Sequence, residues 1–109
     1  MRQLFSRAAW IACLSVAPLL LLTADVEAQD GAATYKSKCV VCHGADGKGS
    51  TMGVKLGVRD LTSPEVQQQP DAQLTEVVTK GKGKMPGFED RLKDTEIKDL
   101  VAFVRTLAK

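Results

Sequence analysis

The most reactive residue types in this chain sit within five positions: Cys39-Val40-Val41-Cys42-His43. On a helical turn, positions three and four apart share a face, so two thiols and an imidazole would converge on one side. Thiols so placed can add to the two vinyl groups of a haem and form thioethers, while the imidazole nitrogen coordinates the iron. Cys-x-x-Cys-His is the attachment pattern of a c-type haem. Other uses of these residues fit less well. A thioredoxin-like pair needs a βαβ setting, and no strand is legible. A zinc site needs a fourth ligand, and no other Cys or His follows residue 28. A plain disulfide between neighbours so close would stabilise little and leaves His43 without a role.

His43 is the only histidine, which excludes a bis-histidine iron within this chain. The best candidate for the sixth ligand is Met85, in Gly81-Lys82-Gly83-Lys84-Met85-Pro86-Gly87. Glycines let a backbone lie close to a flat cofactor, and Pro86 stops helix formation. A soft thioether suits an electron-transfer iron. Two alternatives remain open: Met85 packing on the ring without bonding, and Met52, in a similarly glycine-rich stretch without a following proline, as the rival ligand.

The elements that must hold these residues are helical. Asp30 can cap a helix from Gly31 to about Val41. A turn-rich loop follows over Gly44–Ser50, and Thr51–Asp60 has no clear period. Ser63-Pro64 reads as a cap with proline at the first helical position. Pro70-Asp71 opens another helix, with Ala72, Leu74, Val77 and Val78 as its apolar stripe and Gly81 as its end. Gly81–Phe88 reads as loop. Asp94 opens the last helix, Glu96 falls in its first turn, and Ile97, Leu100, Val101, Val104 and Leu107 recur at helical spacing. Arg105 and Lys109 stand where cations suit the helix dipole. The fold class expected is all-α, three to four helices and long loops wrapped around something.

The N-terminus reads as separate from that fold. Arg2 and Arg7 precede an apolar run from Ala8 to Leu22, interrupted by Pro18, and Val26-Glu27-Ala28 offers small residues before a cut. This is the layout of a secretory signal peptide, cleaved after Ala28. A retained anchor is the competing reading, but the run is short for a spanning helix and carries a proline. Cys13 lies too early for a lipoprotein and would leave with the leader. Residues 1–28 are thus expected to be removed, and 29–109 to form one small domain. A domain this small usually needs a staple. The net charge of +2 survives cleavage, because the leader holds two cations and two acids. It is too small to suggest a nucleic-acid binder.

The mature chain resembles a class I cytochrome c of the small bacterial and algal kind, over nearly all of residues 30–107. Cys39-x-x-Cys42-His43 near the start, Met85-Pro86 later and a terminal helix carry the resemblance. It implies that the first and last helices cross at a glycine and an aromatic. Gly31 and Tyr35 match the first-helix positions, Leu100 and Phe103 the last. One departure stands out. Many members carry a proline after the histidine, whose carbonyl orients the imidazole, and none lies between His43 and Ser63. Another backbone carbonyl could do the same job.

The function expected is a periplasmic carrier shuttling single electrons through one covalent haem c, ligated by His43 and Met85. With both axial positions filled no residue needs to act as acid, base or nucleophile, so the chain is not read as an enzyme. The competing readings are a haem subunit of a dehydrogenase or oxidase complex, and an open-site haem protein that reduces peroxide or binds a gas. The partners expected are redox proteins with acidic docking surfaces, met by Lys80, Lys82 and Lys84. Membrane contact would come only through partner complexes, and the chain is expected to be monomeric.

Overall fold

The computed structural model describes residues 24–109. The leader's basic start, its apolar run and Cys13 lie outside the described residues. Helix α1 spans Ala24–Lys38, α2 Val40–His43, α3 Thr51–Lys55, α4 Pro64–Gln67, α5 Asp71–Lys80 and α6 Asp94–Thr106. Strands β1 (Gly81–Lys82) and β2 (Met85–Pro86) stand between α5 and α6.

The fold is mostly helical, as the periodicity implies, with more pieces than expected. Three of the described helices have only four or five residues, too few for an apolar stripe to repeat. α1 begins at Ala24 rather than Gly31 and runs through the cut expected after Ala28. Asp30 therefore lies inside the helix, where its carbonyl accepts the Thr34 hydroxyl at 3.4 Å. α1 also ends earlier than expected, at Lys38. The Cys39 N–H still donates to Tyr35 O at 2.9 Å, and Cys39 O accepts the His43 N–H at 2.8 Å. α2 thus continues the path after a one-residue turn.

α1 and α6 cross where the sequence implies. Gly31 is buried, and a Cβ there would run into the Asp99 carbonyl and stand 2.9 Å from Phe103 Cβ. Only glycine permits that approach. Next to it the Tyr35 and Phe103 rings lie 5.0 Å apart at 49°, a tilted arrangement that aromatic quadrupoles favour. The buried apolar core among the described residues is Tyr35, Val66, Phe88, Ile97, Leu100 and Val101. Six residues make a thin core, and the apolar face of α5 does not enlarge it: no residue of that helix is buried. Ala72, read as part of its stripe, faces solvent.

Arg105 does more than suit a dipole. Its guanidinium reaches back to the α4–α5 connection, donating to Gln67 O at 2.8 Å, to Asp71 Oδ1 at 2.8 Å and to Gln69 O. Gln67 returns the tie, its amide donating to Leu61 O at 2.7 Å and Val104 O at 3.0 Å. At the other end of α6, the Glu96 carboxylate accepts the Lys93 N–H at 2.9 Å and so ties the residue before the helix to its first turn.

Gly81–Phe88, read as loop, contains a small antiparallel hairpin with Gly81 opposite Pro86 and Lys82 opposite Met85. Its two-residue turn is Gly83-Lys84, and Gly83 has φ of 57°. Glycine first with positive φ is the requirement of a type II′ turn. Two residues per strand cannot show alternation, so this element is invisible to periodicity.

Candidate functional site

A cavity of about 780 Å³ opens between these elements. Cys39, Cys42 and His43 line it from the α1–α2 junction, and Met85 lines it from β2. Leu74, Val77 and Val78 face it from α5, and Leu100, Val101 and Val104 from α6. The α5 stripe missing from the core is therefore a wall of this cavity. Met52 is about half exposed on α3 and is not among the lining residues. The four residues singled out as cofactor-binding meet at one cavity, and the rival methionine does not.

The thiols of Cys39 and Cys42 are free. Burial, then the charge of Cys42, pushes the Cys39 thiol up to about 11. Reactive redox cysteines need the opposite shift, so Cys39 is ill-suited to act as the attacking thiol in thiol–disulfide exchange. Burial lowers the pKa of His43, which favours the neutral imidazole that metals bind. Its Nδ1 is buried and has no hydrogen-bond partner among the described residues. No backbone carbonyl among the described residues takes the part that the proline's carbonyl plays elsewhere. Two free thiols, an imidazole with one enclosed nitrogen, a thioether and apolar walls fit a covalently attached haem.

The backbone anchors each donor separately. The Tyr35 hydroxyl donates to the Gly44 carbonyl at 2.6 Å, tying α1 to the residue after His43. On the Met85 side, a Cβ at Gly87 would meet Thr79 O and Lys80 C at 2.7 Å, so the loop lies directly on the end of α5. Phe88 N–H donates to Val78 O at 2.9 Å, and Lys80 pairs with Glu89 at 2.7 Å. Of the expected lysine trio, one member is thus ion-paired at the surface. Lys80 is engaged by Glu89, while Lys82 and Lys84 are exposed and line the cavity mouth. Lys38, Arg59 and Arg91 line it too, Arg59 in an ion pair with Glu65, and no Asp or Glu is among the lining residues. Sequence reasoning missed those three cations, because they are scattered along the chain and only the fold gathers them.

The family described as "Cytochrome C oxidase, cbb3-type, subunit III" matches residues 26–104. The FixP subunit of the cbb3-type cytochrome c oxidase of Azorhizobium caulinodans is 37% identical over 82 residues, which are 73% of this chain and 27% of that protein. The chain thus spans about a quarter of the length of that oxidase subunit. Cytochrome c6 of Leptolyngbya boryana is 31% identical over 78 residues, covering 72% of this chain and 89% of the relative. Among solved structures, the KustC0563 c-type cytochrome superposes with a TM-score of 0.70 at 34% identity, covering 73% of this chain and 99% of that one.

Proposed function

The chain belongs to the c-type cytochrome family that takes in cbb3-type oxidase subunit III, and from that premise we propose that it is an exported, monomeric carrier of single electrons whose haem iron is held by His43 and Met85. Haem c supplies a reversible one-electron couple. Cys39 and Cys42 fix its edge, His43 offers Nε2 because Nδ1 is enclosed by protein, and Met85 offers its sulfur. The observation that carries this reading is the meeting of all four residues at one cavity. Apolar walls exclude water and favour the reduced state by penalising added charge. No residue is assigned a catalytic part.

Export follows from the leader, with residues 1–28 removed and the domain 29–109 released to the periplasm. No helix among the described residues is long and apolar enough to cross a membrane. The lysines and arginines at the cavity mouth, with no acid among the lining residues, favour a partner with an acidic docking surface. The FixP relatives favour a second reading, a haem module seated on an oxidase, whereas the near-full coverage of cytochrome c6 favours the free carrier.

The test is mass and spectrum. Co-expressed with a haem-ligation system, the protein should gain the mass of one haem and keep it after denaturation. The oxidised protein should show the weak long-wavelength band of thioether–iron(III), and Met85→Ala should abolish it and admit carbon monoxide to the reduced iron. Haem lost to acid–acetone would end the covalent reading, and a band that depends on Met52 would move the ligand there. Purification from native periplasm, with co-purifying proteins identified, separates carrier from subunit.

A further inference from the structure

A helix of four residues leaves its last carbonyls without partners inside the helix. In α2 each of them has a donor. Val40 O accepts the Gly44 N–H at 2.9 Å, Cys42 O the Ser50 N–H at 2.9 Å, and His43 O the Gly49 N–H at 2.8 Å. Val41 O accepts the Ser50 hydroxyl at 2.7 Å. The same hydroxyl oxygen accepts the Gly53 N–H at 3.0 Å and so caps α3. One side chain therefore closes the haem-attachment helix and opens the next. Gly53 seals the joint: it is buried, and a Cβ there would stand 2.7 Å from the Cys42 carbonyl carbon and 3.1 Å from its Cα. Backbone meets backbone directly beside the second thiol and one residue from His43.

This matters because of how the imidazole is held. A metal-ligating histidine ordinarily donates its second ring N–H to a protein group, which fixes the ring's orientation. His43 Nδ1 has no such partner among the described residues. The ring's direction then depends on how firmly its backbone is held. We propose that Ser50 and Gly53 are positioning residues for His43, fixing through the α2 carbonyls the angle at which its ring meets the iron. The proposal rests on His43 being an iron ligand. Ser63 provides the comparison. It caps α4 in the same manner, accepting the Val66 N–H at 3.4 Å, but its own hydroxyl bonds to Asp60 O, not to α2.

The experiment uses the holoprotein and four variants: Ser50→Ala, Ser50→Thr, Gly53→Ala and Ser63→Ala. The readouts are the melt, the midpoint potential, and the g values of the oxidised protein by electron paramagnetic resonance, which report axial-ligand orientation. Ser50→Ala and Ser63→Ala should both lower the melt, since each loses a cap. Only Ser50→Ala and Gly53→Ala should also shift the g values and the potential, and Ser50→Thr should restore both. Wild-type g values and potential in Ser50→Ala, however low its melt, would overturn the proposal and leave Ser50 a cap. If Gly53→Ala fails to assemble, the Ser50→Ala and Ser50→Thr pair decides alone. A wild type without covalent haem or without a low-spin, imidazole-ligated signal would overturn the carrier reading, and this proposal with it.

Discussion

Tyr35 combines two interactions that phenylalanine would separate. Its ring packs on Phe103 and its hydroxyl holds the Gly44 carbonyl. Tyr35→Phe keeps the first and loses the second, at a cost of about 1 kcal/mol, measurable by denaturant titration of the holoprotein. The phenol is pushed up to about 12, chiefly by burial, from an ordinary value of 10.0. Its stabilising effect is complete below about pH 10 and is lost as pH rises towards 12, because the unfolded phenol ionises first. Wild type should therefore lose more stability than Tyr35→Phe across that window, and parallel losses would refute the assignment. Gly31→Val should overpack the α1–α6 crossing and destabilise by roughly 1–3 kcal/mol, read as a lowered melt. These positions were legible in advance because a glycine four residues before an aromatic matches a known family's crossing. Arg105 was not. A cation near a helix end has an explanation in the dipole alone, and nothing local reveals that it reaches residues more than thirty positions away.

At the level of elements, α5, α6 and the start of four-residue α4 at Ser63-Pro64 could be read, whereas the ends of α1 and the whole of α3 could not. α5 and α6 start and end where Asp71, Gly81 and Asp94 place them, because caps and periodicity agree. α3 escaped notice: five residues hold less than two turns, and its one signal was a serine before it. The cavity-facing stripe of α5 was legible as apolar, but not as a wall rather than core, since periodicity records which face is apolar and not what covers it. The β1–β2 hairpin has a consequence that can be measured. Gly87 lies against Thr79 and Lys80 so closely that any side chain must lift the loop from α5. Gly87→Val should therefore unseat Met85, weakening the long-wavelength band and opening the reduced iron to carbon monoxide, while covalent haem content stays at one. Retention of the band at wild-type intensity would show that the loop tolerates the displacement.

For the whole molecule, charge and folding are the properties at stake. Lys82→Gln with Lys84→Gln should slow electron exchange with an acidic partner at low salt and matter less as salt rises, since the Debye length is about 10 Å at 0.1 M. Lys80→Gln should slow it less, because Lys80 does not line the cavity, though its loss leaves Glu89 uncompensated. Stopped-flow rates over a salt series would distinguish the two. The thin core has a different bearing. With six buried apolar residues among those described, beside a cavity of about 780 Å³, much of the domain's apolar surface has nothing of its own to rest against. The double variant Cys39→Ala, Cys42→Ala should lack a sharp melt and be digested quickly by added protease. Before attachment the polypeptide would then be easily degraded by proteases, and afterwards resistant. Cellular abundance would follow the supply of haem and of the ligation machinery rather than transcription alone, so that cofactor delivery itself acts as the quality checkpoint for the finished protein.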